Sequence, residues 1–201
     1  MKTCSVYGIF VALLIFGLPD SAAADLIGTI PHDYGVVQFD PGGNDTLCDD
    51  YVLVSTESEP RFSDHFDFGS FSYDSIDHFD LTLSFSNTDR SGVVLPRELW
   101  FVRPAGTDEF LDMVYMQRVG DAVTTQTLTI DSSFSKFGSM VGNQDFYFWL
   151  ADYGVHPNDL KLYDATLKIY GEVAAVPITG AVWLLASGLI GLVGIRKRLH
   201  R

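Results

Sequence analysis

Between residues 25 and 175 the chain alternates polar and apolar residues with a period of two. Over residues 77–85, Asp77, Phe79, Leu81, Leu83 and Phe85 share one face, and His78, Asp80, Thr82 and Ser84 share the other. Successive strand side chains point to opposite sides, so this pattern predicts a half-buried β-strand. Similar runs occur at Tyr34–Phe39, Tyr51–Ser55, Phe62–Phe71, Glu98–Arg103, Met113–Val119, Val123–Ile130, Asp145–Asp152 and Leu160–Tyr170. Gly, Asn, Asp and Pro punctuate them as turns, and no Gly/Ser- or Pro-rich linker divides the segment. About nine strands at this spacing, with no amphipathic helix among them, predict a single all-β domain, a β-sandwich of jelly-roll kind. The segments Ser132–Phe137 and Gly138–Gly142 read as loops, the first with room for one short turn. Helix is expected only at the two ends of the chain.

Those ends break the alternation. Residues 1–24 read as a secretory signal peptide. Lys2 supplies a positive start, Val6–Leu18 is apolar, and Ala22 and Ala24 offer small residues for signal peptidase before Asp25. Pro19 and Asp20 leave open the alternative that this segment stays as a second anchor. Residues 176–201 hold a Val176–Gly180 motif, an uncharged apolar run over 178–195, and the basic tail 196–201. Eighteen helical residues at 1.5 Å each cover roughly 27 Å, about the hydrocarbon thickness of a bilayer. Arg196, Lys197, Arg198 and Arg201 then orient the tail to the cytoplasm and residues 25–175 outside. Ser187, Gly188, Gly191 and Gly194 would permit close approach of another helix in lipid.

The residues Val176, Pro177, Trp183, Leu184, Ser187, Gly188, Leu189, Gly191, Leu192, Arg196, Lys197 and Arg198 give this tail a specific look. It resembles the PEP-CTERM sorting signals of Gram-negative bacteria, in the variant that opens with Val-Pro. The resemblance covers only the tail. It implies an exported precursor, held in the inner membrane and processed by an exosortase, a membrane cysteine transpeptidase. Such proteins are associated with exopolysaccharide and biofilm. Where the family's namesake motif has Glu between two prolines, this chain has Ile178 and Thr179. Two other readings of the same residues stay open: a degenerate sortase signal of the Leu-Pro-x-Thr-Gly kind, and a plain anchor that no enzyme cleaves.

Charge narrows the partners of the middle segment. Of the chain's 13 Lys and Arg, Lys2 and four in the tail lie outside it, leaving eight; of its 26 acids only Asp20 lies outside. The segment therefore carries about seventeen more negative than positive charges, a field that repels nucleic acid and anionic membrane surfaces. It invites divalent cations instead. Calcium takes oxygen ligands from loops, and the best cluster is Asp40, Asn44, Asp45, Asp49 and Asp50; Asn87 with Asp89, and Asp152 with Asn158 and Asp159, are further ones. Asx residues also fill turns for backbone reasons alone. Zinc is disfavoured. If the echoing runs around His65–Asp67 and His78–Asp80 form a hairpin with their apolar faces matched, the two imidazoles fall roughly 13 Å apart. Cys4 leaves with the signal peptide, and the remaining thiol, Cys48, follows no partner and precedes Asp49 and Asp50, which suits a small buried hydrophobe rather than a reactive thiolate.

Motifs for catalysis are missing: there is no nucleophile elbow, zinc-protease helix, phosphate loop or dinucleotide fingerprint. The expectation is a protein that is not an enzyme. Aromatic residues offer more. Phe146, Phe148 and Leu150 face one way, and Tyr147 and Trp149 the other, as in a strand apolar on both sides. Such a strand either lies in the centre of the sandwich or presents rings on which sugars stack. Trp100, Tyr115, Tyr153, Tyr163 and Tyr170 are further candidates. Two functions follow: an exported structural protein of the cell surface or matrix, or a carbohydrate-binding module delivered by the same route to polysaccharide. Rings wholly inside the sandwich favour the first, and a row of accessible rings on a sheet face favours the second.

Two expectations can be measured directly. Replacing Pro177, or deleting Arg196–Arg201, should leave export intact and strand an uncleaved precursor; an unchanged mature C-terminus by mass analysis would remove the case for a sorting protease. Millimolar calcium should raise the melting temperature of residues 25–176 more than sodium chloride does at matched ionic strength, because a bound ion stabilises by mass action and diffuse screening does not discriminate. Equal shifts would mean that the acidity is a solvated surface.

Overall fold

A computed structural model describes residues 24–35, 46–55, 62–88, 99–105, 112–152 and 159–174. Ten strands and one helix occur there. In chain order they are β1 (Asp25–Asp33), β2 (Thr46–Leu47), β3 (Val52–Val54), β4 (Ser63–Asp67), β5 (Tyr73–Ser86), β6 (Trp100–Pro104), β7 (Val114–Tyr115), β8 (Thr124–Asp131), α1 (Phe137–Asn143), β9 (Asp145–Asp152) and β10 (Leu160–Val173). They form two antiparallel sheets. The larger runs β2-β3-β10-β5-β8, with β1 also paired to β10, and the smaller runs β4-β9-β6-β7. Strands β1 and β3 lie end to end along one side of β10, at 164–171 and 160–162, while β5 holds the other side over nearly its full length.

The alternation predicts which face each sheet buries. Phe79, Leu81, Leu83 and Phe85 of β5, Leu128 and Ile130 of β8, and Leu162, Ala165, Leu167 and Ile169 of β10 turn inward from the larger sheet. From the smaller sheet, Phe66 of β4, Val102 of β6, and Phe146, Phe148 and Leu150 of β9 meet them. Phe79 joins the layers: its ring lies 5.4 Å from Phe68, 5.2 Å from Phe146 and 5.5 Å from Phe137, at the tilted and edge-on angles aromatic pairs prefer. The β-sandwich expected from the sequence is therefore the architecture, and β9 coincides with the predicted Asp145–Asp152 run.

Three expectations change. The segment Gly138–Gly142, read as loop, belongs to α1, whose Phe137, Met140 and Val141 pack on the core at helical spacing. Strand β1 lies outside the predicted runs, because Gly28 and Pro31 interrupt its pattern; proline is tolerated there since, among the described residues, β1 pairs on one side only. Gly28 is required by packing, for a Cβ at that position would collide with the ring of Phe71. Finally, β4 and β5 are not a hairpin. Strand β4 pairs with β9 and β5 with β10 and β8, so the His65–Asp67 and His78–Asp80 runs lie in different sheets.

One polar contact crosses between the layers. Asp64 of β4 points inward, only 3% exposed, among aromatic rings. Its Oδ2 accepts a hydrogen bond from the Tyr34 hydroxyl at 2.7 Å and lies 2.8 Å from His32 Nδ1, where that N–H donates; its Oδ1 accepts the His65 N–H at 2.7 Å. His32 stacks on Phe66 with ring centres 4.3 Å apart. Tyr34 is anchored in turn through its N–H to the Tyr163 carbonyl, at 2.9 Å. A carboxylate taken from water is tolerated only when its oxygens are met by donors, as here. Burial, then the charge and hydrogen bond of Asp64, push the Tyr34 phenol well above its usual pKa.

Removing the carboxylate should therefore cost far more than a surface change. Asp64→Ala takes the shared carboxylate acceptor from the Tyr34 hydroxyl and the His32 N–H, at about 1–3 kcal/mol for each donor left unmet, read by urea unfolding. Tyr34→Phe loses one charge-assisted bond, about 1.5–3 kcal/mol. The raised phenol pKa adds a pH signature. Its stability contribution is complete below the unfolded phenol value of about 10 and disappears as pH climbs through the higher folded value. Tyr34→Phe should flatten the alkaline limb of the stability curve; the same alkaline loss in both proteins would overturn this account.

Candidate functional site

The inward residues of β9 belong to the core, which leaves the opposite parity on the sheet's other side: Asp145, Tyr147, Trp149 and Ala151, the last of them buried at 3%. Cross-strand register sets their neighbours. On the β4 side, Asp67 lies opposite Asp145, His65 opposite Tyr147 and Ser63 opposite Trp149. On the β6 side, Arg103 lies opposite Trp149 and Phe101 opposite Ala151; Tyr115 of β7 then follows Phe101. The outer face of the smaller sheet thus gathers four aromatic rings around one guanidinium. Directly opposed side chains on neighbouring strands lie about 4.5–5.5 Å apart at Cβ, so these groups form one continuous patch.

Internal contacts hold the patch in shape. Trp149 Nε1 donates to the Tyr147 hydroxyl at 2.7 Å, and the two rings meet at 72° with centroids 6.4 Å apart. Arg103 sits over the Phe101 ring at 5.0 Å, a cation–π contact, and Phe101 meets Tyr115 edge-on at 6.3 Å. Exposure is graded across the face. Phe101 and Arg103 are buried at 4% and 7%, Tyr147 and Trp149 are half-buried, and Tyr115 is 54% exposed. A ligand lying on this face would meet rings already fixed by neighbours, which lowers the ordering cost of binding.

The other candidate rings have different roles. Trp100 is a core residue at 2% exposure, not a stacking surface. Tyr163 packs on Tyr51 at 5.5 Å, with Lys161 over the Tyr51 ring at 5.4 Å. Tyr170 stacks on His78 at 4.6 Å on the outer face of the larger sheet. Tyr153 lies outside the described residues. The rest of the larger sheet's outer face is hydroxyl-rich, with Thr82 bonded to Thr127 at 2.9 Å and Thr129 donating to Asp80 at 2.7 Å.

The metal candidates are only partly visible. Asp40, Asn44 and Asp45 lie outside the described residues. Asp49 and Asp50 are exposed in the bend between β2 and β3, which closes through the Cys48 N–H on the Tyr51 carbonyl at 2.9 Å. Among the described residues no three His, Cys, Asp or Glu side chains come together as a metal would require. Asn87 uses its side-chain amide on the Asp159 carbonyl at 2.6 Å. His65 and His78 occupy outer faces of opposite sheets, so they share no site, for a stronger reason than the expected register. Cys48 is half-buried rather than buried, and its thiol beside Tyr51 raises that phenol's pKa. Asp131 is held below the usual carboxylate range by the Ser133 hydroxyl and N–H, in the turn that leads to α1.

The sorting residues Val176, Pro177, Trp183, Ser187, Gly188, Arg196, Lys197 and Arg198 lie outside the described residues, as does Ala22; Ala24 is half-buried immediately before β1. Among the described residues no helix is long and apolar enough to cross a membrane. No protein-family model matches the chain, and no curated protein matches it. Among solved structures, it is similar to a carbohydrate-binding module from Cellvibrio mixtus lichenase 5A, determined with cellotriose. That likeness covers 73% of this chain and 98% of the module, at 11% identity and a TM-score of 0.32. At that level it extends to neither the site nor the ligand.

Proposed function

We propose that this is an exported protein whose β-sandwich, of jelly-roll kind, binds a neutral polysaccharide on the outer face of its smaller sheet. The observation that carries the reading is the outward row on β9, where the half-buried rings of Tyr147 and Trp149 keep part of their surface open on a strand whose other side is core. Sugar rings present apolar C–H faces edged by hydroxyls, and Tyr and Trp match them with an apolar face and a polar tip. Ser63 and His65, opposite Trp149 and Tyr147 on β4, stand next to those rings as hydrogen-bonding partners for the hydroxyls. The acid-rich segment repels anionic chains at long range, which favours neutral ones.

Delivery is part of the same proposal. The amino-terminal segment directs export through signal peptidase, and the Val176–Arg201 segment anchors the precursor in the inner membrane for an exosortase. The mature protein then remains at the surface or in the exopolysaccharide matrix of a Gram-negative cell. A matrix protein with no ligand of its own is the second reading. It is favoured by the buried Trp100 and by Tyr163 and Tyr170, whose rings are engaged by Tyr51 and His78 of the same domain.

A glycan array on residues 25–176 separates the two. Neutral polysaccharides should bind, and Trp149→Ala should weaken them at least about tenfold, the loss of roughly 1.4 kcal/mol expected for a central aromatic contact. Tyr170→Ala, on the opposite sheet, should leave binding unchanged. Silence across neutral and acidic polysaccharides would remove the binding function and leave the matrix reading.

A further inference from the structure

The outer row of β9 does not stop at Tyr147. Asp145 continues it toward α1, and there the surface folds into a cleft of about 250 Å³ between the helix and the strand. Lys136, Ser139 and Asn143 line the helix side, Asp145 and Tyr147 the strand side, and Met140 and Ala105 complete it. The backbone fixes this geometry: the Ala105 N–H bonds to the Tyr147 carbonyl, and Gln144 adopts a left-handed conformation (φ 57°) that turns the chain sharply from α1 into β9. Among the described residues, Asp145 Oδ1 is shielded from solvent and meets no hydrogen-bond donor.

We propose that this cleft is a subsite for a single neutral pyranose ring, placed at the end of the Tyr147–Trp149 row; the inference rests on the carbohydrate-binding reading above. Size points to one ring, since the cleft falls below the roughly 300–1,000 Å³ of sites that enclose larger ligands. Its chemistry points to hydroxyls. Lysine and the asparagine amide donate, the aspartate accepts, serine does both, and Tyr147 offers the apolar side wall. Opposite charges on Lys136 and Asp145 leave no net preference for an anion, which separates a neutral sugar from a uronic acid. Because β-strand residues two apart repeat at about 6.6–6.8 Å, Asp145 and Trp149 are roughly 13 Å apart along β9. A chain end held in the cleft would continue across the rings.

Calorimetric titration of the full chain in detergent tests this with glucose, galactose, mannose, their uronic acids and short neutral oligomers of each. A neutral monosaccharide should bind, and more tightly than its uronic acid. Ser139→Trp fills the cleft from an exposed helix position and should abolish monosaccharide binding and weaken the oligomer about tenfold or more. Asn143→Ala should weaken both, with the melting temperature unchanged. Trp149→Ala should weaken the oligomer but spare the monosaccharide. If Trp149→Ala weakens the oligomer while Ser139→Trp and Asn143→Ala do not, the cleft inference falls and the aromatic face stands. Preference for the uronic acid overturns the neutral assignment. No binding of any sugar by the unaltered chain overturns both.

Discussion

The whole sandwich is organised around a buried carboxylate that has to be satisfied. Asp64 stands on the inward parity of β4, where every neighbouring position of that parity is apolar, and it is stable there only while Tyr34, His32 and the His65 N–H supply donors. Tyr34 and His32 come from the end of β1, a strand of the other sheet, so the contact cannot form until the two layers are in register. Apolar packing alone tolerates sliding, because one phenylalanine substitutes for another at little cost. A hydrogen-bonded charge does not. The stack of His32 on Phe66 ties the same clasp into the aromatic core, and the Tyr34 link to Tyr163 ties it to β10, the strand that pairs with three others.

With the layers fixed, β9 can be apolar on both sides without inviting aggregation at its edges. It lies between β4 and β6, so both rows of its backbone groups are paired. Inward, Phe146, Phe148 and Leu150 are spent on stability. Outward, Asp145, Tyr147 and Trp149 are held by a well-ordered ladder yet contribute little to the core. A binding face built on a central strand is more rigid than one built on loops, and its rings need not be ordered when a ligand arrives. The same strand therefore carries the densest packing and the strongest candidate site.

Most of the strands were legible because period-two alternation is a direct imprint of one-sided burial; β5, β8, β9 and β10 follow it closely. The alternation fixes which residues share a face, but it carries no information about which sheet a strand joins. That is why β4 and β5, neighbours in sequence with nearly the same run of residues, read as a hairpin and fold into opposite layers. Helix α1 was hidden because Gly138 and Gly142 lower its propensity, Lys136 at its N-cap makes no side-chain cap, and Gln144 rather than glycine takes the left-handed position at its end. The parity of Tyr147 and Trp149 was readable, whereas their exposure was not: a strand apolar on both sides is buried on both or accessible on one according to what covers it. The cleft was beyond reach for the same reason, since it joins residues of a helix the pattern did not predict to the outer face of β9.

The register of β1 against β10 links the fold to the proposed route of export. Asp25, the first residue after the proposed signal cleavage, pairs with Gly171, only five positions before Val176. The β5–β10 ladder shifts register between Tyr170 and Gly171, and Gly171 is needed because a Cβ would strike the Ser75 carbonyl of β5. The first and last strands of the sandwich thus lie side by side with these ends together, and β1 starts at the proposed cleavage point itself. Cleavage after Ala24 removes nothing from the strand, and Asp33 at its far end is followed at once by Tyr34 of the Asp64 clasp. At the other end, β10 reaches Val173 within three residues of the sorting motif, so the proposed anchor joins the sandwich with almost no spacer. In such a precursor the domain would be held close against the bilayer, and the acidity of residues 25–175 would keep it from lying down on anionic lipid. Release of the tail, not a flexible linker, would then be the step that lets the aromatic face reach polysaccharide beyond the membrane.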